Sequence, residues 1–134
     1  MGKSKLARWI FLIAGIWGIL VLAPQYFLET FISSQHPPAI THPEFFYGFI
    51  GVGLAWQILF LLISTDPVRY RGAMLAGVVE KLSFVSAIFV LYAANRVDSA
   101  LAGAAAVDLL LGILFVIAFV KTGNPASSAA NRNG

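Results

Sequence analysis

A chain of 134 residues that is 59% hydrophobic and 11% charged has too few charges to solvate a globular surface, where about 25% is usual. With a mean hydropathy of +0.83, this composition excludes an ordinary soluble domain. The net charge of +3 requires no nucleic acid, because Lys and Arg beside a membrane serve topology and anionic lipid.

There is no cysteine, so disulfides, thiolate metal sites and thiol catalysis are excluded together. The apolar residues fall in blocks long enough to cross a bilayer, for which roughly 20 residues suffice. The expected fold is an all-α integral membrane protein, a single four-transmembrane-helix bundle over residues 1–121 with N and C termini cytoplasmic.

The first block, residues 9–28, follows the basic start Lys3, Lys5, Arg8. It is longer than the apolar core of a secretory signal, about 7 to 15 residues, and no small-residue cleavage pattern follows it. It therefore reads as a retained span. Pro24 marks a kink or an early helix end, and Ala14, Gly15 and Gly18 give one side a small surface on which a neighbour packs closely.

Residues 29–43 read as the longest hydrophilic connection, centred on Gln35-His36-Pro37-Pro38. Thr41 and Glu44 have capping-box spacing and Pro43 suits a first helical turn, so a second span of about 44–64 is expected. Asp66 and Pro67 repeat that start signal before a third span of about 72–94, which contains Glu80-Lys81. After the polar turn at residues 95–99, a fourth span of about 100–120 is interrupted only by Asp108. Residues 122–134, rich in Asn, Ser, Ala and Gly, are expected to form a disordered cytoplasmic tail.

Loop charges set the orientation. One side of four spans holds Lys3, Lys5, Arg8, Arg69, Arg71, Lys121 and Arg132, and the other holds only Arg96. By the positive-inside rule the richer side is cytoplasmic.

Measured from the span midpoints at about 1.5 Å per residue, Gln57, Glu80 and Lys81 lie about 3 to 4.5 Å to the cytoplasmic side, and Asp108 about 3 Å to the other. All four sit near the midplane, where an ionisable residue is a functional-site hypothesis by default. Ala73, Gly77, Glu80, Phe84 and Ala87 share a face of the third span, Ala104, Asp108 and Gly112 a face of the fourth, and Gly53 and Gln57 a face of the second. Small residues on those faces mark helix contacts, so Gln57, Glu80 and Asp108 are expected to converge. Lys81 lies about 100° round from Glu80 and faces that interior obliquely, or a partner chain.

One lysine beside two acids neutralises one of them. The acid left over is expected to take up a proton, bind a cation, or act as acid/base on a lipophilic substrate. The leading expectation is a binding module for a lipophilic or cationic small molecule or protons, with Glu80 as the binding acid, Asp108 its partner, Lys81 the counter-ion and Gln57 the orienting amide. Trp56, Trp17 and Phe84 are expected pocket walls. In the purely architectural alternative, Lys81 pairs with Asp108, a neutral Glu80 bonds to Gln57, and the cluster fixes helix register. A non-catalytic subunit or assembly factor, and a lipid-modifying isomerase or oxidoreductase using Glu80, are further alternatives; no catalytic residue is assigned. The expected partners are the bilayer, a lipophilic ligand, and a second copy or membrane-complex partner. A transporter reading requires dimerisation, since four helices are few for alternating access.

His36, His42, Glu29 and Glu44 share one connection, but their spacing matches no established metal site, and no metal or cofactor is expected. No phosphate-binding glycine loop or Ser/His/Asp set is present. In size and span number the chain resembles DoxX-type bacterial membrane proteins, and in its midplane acids sterol-isomerase and sigma-2-type proteins. No motif of either aligns with His42-Pro43-Glu44, Trp56-Gln57 or Glu80-Lys81, so no functional residue is carried over. The expected location is a bacterial cytoplasmic membrane.

Overall fold

The computed structural model describes residues 2–123, and among these the chain is helical without a strand. The elements are α1 (Gly2–Leu22), a 3-10 segment (Ala23–Phe27), α2 (Glu29–Gln35), α3 (Pro43–Thr65), α4 (Arg71–Ala93) and α5 (Ser99–Lys121). Four of them, α1 with its 3-10 extension, α3, α4 and α5, are long and apolar enough to cross a membrane. At about 1.5 Å per residue, 23 residues reach about 35 Å, against roughly 30 Å of hydrocarbon. The expected tail falls almost wholly on residues 124–134, outside those described.

Local chemistry explains where each helix starts and stops. Pro24 ends the α-helical ladder of α1, and the chain continues as a 3-10 turn. The stretch expected as a plain connection contains α2, seven residues that begin with Glu29 in the first turn. Thr41 and Glu44 do not form a capping box: His42 is the N-cap of α3 without a side-chain cap bond, and its ring pairs with Glu44 at 3.1 Å. Asp66 caps a turn rather than α4 itself, accepting from the Arg69 amide at 3.2 Å; the helix begins at Arg71. At the far end of α4, Asn95 takes the left-handed conformation (φ 56°), with Asn95 N–H donating to the Tyr92 carbonyl and Arg96 N–H to that of Leu91. These two bonds are the paired closure of a Schellman motif.

α1 packs along α3 and α4 along α5, and contacts between α1 and α5 join the two pairs; α3 and α4 touch only sparsely. At the end where α1 begins and α5 finishes, here the terminal end, the bundle is solid. Phe11 of α1, Phe60 of α3 and Phe115 of α5 are fully buried, with centroids 4.2 Å apart for Phe11–Phe115 and 4.9 Å for Phe60–Phe115. Met74 and Gly77 of α4 close the fourth side, and a Cβ added at Gly77 would come within 3.1 Å of Phe60. The Arg71 guanidinium lies 3.6 Å from the Phe119 ring centroid and donates to the Phe119 carbonyl at 3.1 Å, fastening the start of α4 to the end of α5. Outward, Leu20, Val52, Val79, Leu110 and Val120 are all more than half exposed. Helices apolar all round suit an apolar solvent.

At the opposite, α2 end, His36 pairs with Asp98, which also caps α5 by accepting from the Leu101 amide at 2.9 Å. The Leu101 amide, followed by the His36 ring, holds the Asp98 carboxyl below its ordinary range. A depressed carboxyl stabilises the folded state above its unfolded pKa, and that contribution is lost as pH falls through the folded value. An NMR titration is expected to place the Asp98 midpoint below the usual value of about 3.9, and His36→Ala is expected to move it part of the way back up. A midpoint unchanged by His36→Ala would show that the helix cap alone holds the carboxyl down.

Candidate functional site

Above the aromatic plug the bundle opens. The buried residues of α4 are Met74, Gly77, Lys81, Val85 and Ile88, a stripe at spacings of three and four that points Lys81 into the interior. Lys81 is 4% exposed, so the expectation of an oblique lysine or one turned to a partner chain is corrected. The face drawn through Ala73, Glu80, Phe84 and Ala87 is rotated by one residue from the buried one. Glu80 therefore stands at the edge of the interior, its side chain 19% exposed.

Lys81 Nζ donates to Asp108 Oδ1 of α5 at 3.2 Å and lies 3.4 Å from Glu80 Oε2. The second contact is an ion pair without hydrogen-bond geometry, and Glu80 Oε2 is buried with no donor among the described residues. Gly112 permits this approach of α5 to α4: a Cβ added there would lie 3.3 Å from Lys81 Cβ. On the terminal side, Nζ stands 5.4 Å from the Phe60 ring centroid, so the cluster rests on the aromatic plug.

Gln57 of α3 is 2% exposed, and it does not bond to Glu80. Its Nε2 donates to the Gly53 carbonyl of its own helix at 3.0 Å, while Oε1 is buried and has no donor among the described residues. The Gly53 and Gln57 face packs on α1, not on α4 as the convergence of three spans required. A Cβ at Gly18 would lie 1.9 Å from Gln57 Oε1, and one at Gly53 would lie 2.8 Å from Leu22. The small face of α1 is thus what admits the amide.

Gln57, Glu80, Lys81 and Asp108 together line a cavity of about 490 Å³. Its size lies within the roughly 300–1,000 Å³ of small-molecule sites. Trp17, Trp56 and Phe84 are in its walls. Sequence reasoning named Trp17 of α1 but missed the rest of that helix's share, Gly18, Val21 and Leu22, with Gln25 of the 3-10 segment beyond it, and it missed Phe49, which stacks on Phe84 with centroids 6.1 Å apart. The Ala14, Gly15, Gly18 surface was the available signal for α1; nothing in the sequence pairs Phe49 with Phe84. The two histidines of the α2 connection part company, His36 to Asp98 and His42 to Glu44, and no group of three metal-ligating side chains occurs among the described residues.

The fold and site define a four-helix bundle of membrane-spanning length and hydropathy, closed by aromatics at one end and carrying an ionic cluster beneath an apolar cavity. No protein-family model, no curated protein and no solved structure matches the chain.

Proposed function

We propose that this is an integral membrane protein with its termini on the cytoplasmic side, whose bundle is a binding module for a lipophilic small molecule. The orientation is supported by Lys3, Lys5, Arg8, Arg69, Arg71 and Lys121 at the terminal end against Arg96 alone at the other, among the described residues. The observation that carries the binding reading is the cavity of about 490 Å³ with a buried ionic cluster as its floor.

A structural ion cluster needs no empty volume beside it, whereas a ligand site combines apolar walls with a few convergent polar groups. The walls here are Trp17, Trp56, Phe49 and Phe84. α3 and α4 touch only sparsely and are bridged beside the cavity by the Phe49–Phe84 pair, so the proposed route for a lipophilic molecule from the bilayer runs between these two helices.

Native mass spectrometry of the protein released gently from detergent tests this. One lipophilic molecule is expected per chain, and Ala104→Phe, which puts a ring into the cavity, is expected to remove it. Equal retention by the folded variant would sink the reading.

A further inference from the structure

The cluster has an unmatched charge and an unmatched acceptor, and they lie in one cavity. Glu80 and Asp108 share one ammonium, that of Lys81, at 3.4 and 3.2 Å. Gln57 Oε1 and Glu80 Oε2 are both buried oxygens without a hydrogen-bond donor among the described residues. A buried acceptor left without a donor is costly, and a buried carboxylate without a full counter-ion is more so. The Gln57 amide is not free to turn away, because its Nε2 is bonded to the Gly53 carbonyl and its Oε1 is seated against Gly18.

We propose that the ligand is a lipophilic amine, its ammonium donating to Gln57 Oε1 and balancing the second carboxylate, its apolar remainder lying along Trp17, Trp56 and Phe84 towards the seam between α3 and α4. This deepens the binding reading above and rests on it.

The chemistry selects among candidates. An alcohol supplies a donor but no charge. A quaternary ammonium supplies charge but no N–H for Gln57. A carboxylate adds a third anion to a floor that already has two. A bare divalent cation asks for six or more oxygens, and these walls are aromatic. An N–H-bearing ammonium meets both deficits and gains from the ring faces beside it.

The test uses the full chain in phosphatidylcholine nanodiscs, with Trp9→Phe to leave Trp17 and Trp56 as reporters. Four amphiphiles with the same brominated dodecyl chain serve as probes: the primary ammonium, the trimethylammonium, the alcohol and the carboxylate. Ala104→Phe measures quenching from simple partition into lipid.

The primary ammonium is expected to quench saturably at one per chain, about tenfold or more tighter than the alcohol and the trimethylammonium, the scale of one charge-assisted hydrogen bond. Gln57→Met is expected to bring the primary ammonium down to the trimethylammonium level and leave the latter unchanged. Glu80→Gln is expected to remove the preference for either cation over the alcohol. Should that variant not fold, the probe series and Gln57→Met decide. Equal saturable binding of all four probes would overturn the amine and leave the cavity as a lipophile site. Preference for the carboxylate would also overturn it, and saturation by none of them would overturn both readings.

Discussion

Lys81→Met is expected to destabilise the bundle by about 3 kcal/mol, the lower end of the range for removing one partner from a buried ion pair. Met fills nearly the same space, so packing changes little and the effect is electrostatic. It leaves Glu80 and Asp108 facing one another with no cation, and partial exposure of both side chains, 19% and 20%, places the cost at that lower end. Asp108→Asn is the informative contrast. It removes the unmatched charge, leaves Lys81 with Glu80, and keeps an oxygen to accept from Nζ. Its expected cost is below about 1.5 kcal/mol, that of one hydrogen bond. Denaturant unfolding in mixed micelles, followed by helical circular dichroism, measures both. Equal costs for the two variants would mean that the charges are hydrated and that the cluster is not an electrostatic unit.

The four long helices were legible because hydropathy and length alone define them, and neither depends on how the helices meet. The polar turn at residues 95–99 is likewise local; the stop at Asn95 and the cap at Asp98 within it, which the sequence reading did not single out, are set by a residue that tolerates the left-handed region and by a carboxyl that bonds an amide three positions on. Local signals failed where a second local solution existed. Asp66 and Pro67 have the right chemistry to begin α4, yet Asp66 forms a capped turn and the helix waits until Arg71, where the guanidinium reaches Phe119. α2 was hidden because seven mixed residues read no differently from a loop.

The residues of the candidate site were legible and their geometry was not. Charges and an amide in apolar helices announce themselves, but adjacent Glu80 and Lys81 differ by about 100° of azimuth, which only packing resolves. Small residues pointed to Ala73, Gly77, Glu80 and Ala87; the stripe actually buried runs through Met74, Gly77, Lys81 and Val85. Gly77 belongs to both, and so did not discriminate. Gln57 shows the same limit in another form. The sequence marks it as an amide inside an apolar span, but its contact with Gly18 depends on α1 lying along α3, a long-range choice made by the whole bundle.

Phe60→Ala is expected to destabilise the protein by about 3 kcal/mol, towards the lower end of the values for truncating a buried Phe, because in the proposed bilayer setting lipid tails solvate separated helices as an apolar core does. What is lost is packing. Phe60 packs against the stacked pair Phe11–Phe115, at 5.9 and 4.9 Å between centroids, and is fully buried. Its ring also lies 5.4 Å from Lys81 Nζ, so truncation opens a void directly beneath the ionic cluster. Phe115→Ala removes as much aromatic contact without that proximity to Lys81, and a similar stability cost is expected from the void alone. The two variants should separate in binding. Phe60→Ala lets the lysine sink and loosens the cavity floor, so amphiphile affinity falls with stability; Phe115→Ala keeps affinity near the parent value. Measuring unfolding and amphiphile binding on both variants distinguishes a plug that only holds the helices together from one that also sets the height of Lys81. Equal loss of affinity in both would assign the plug to stability alone.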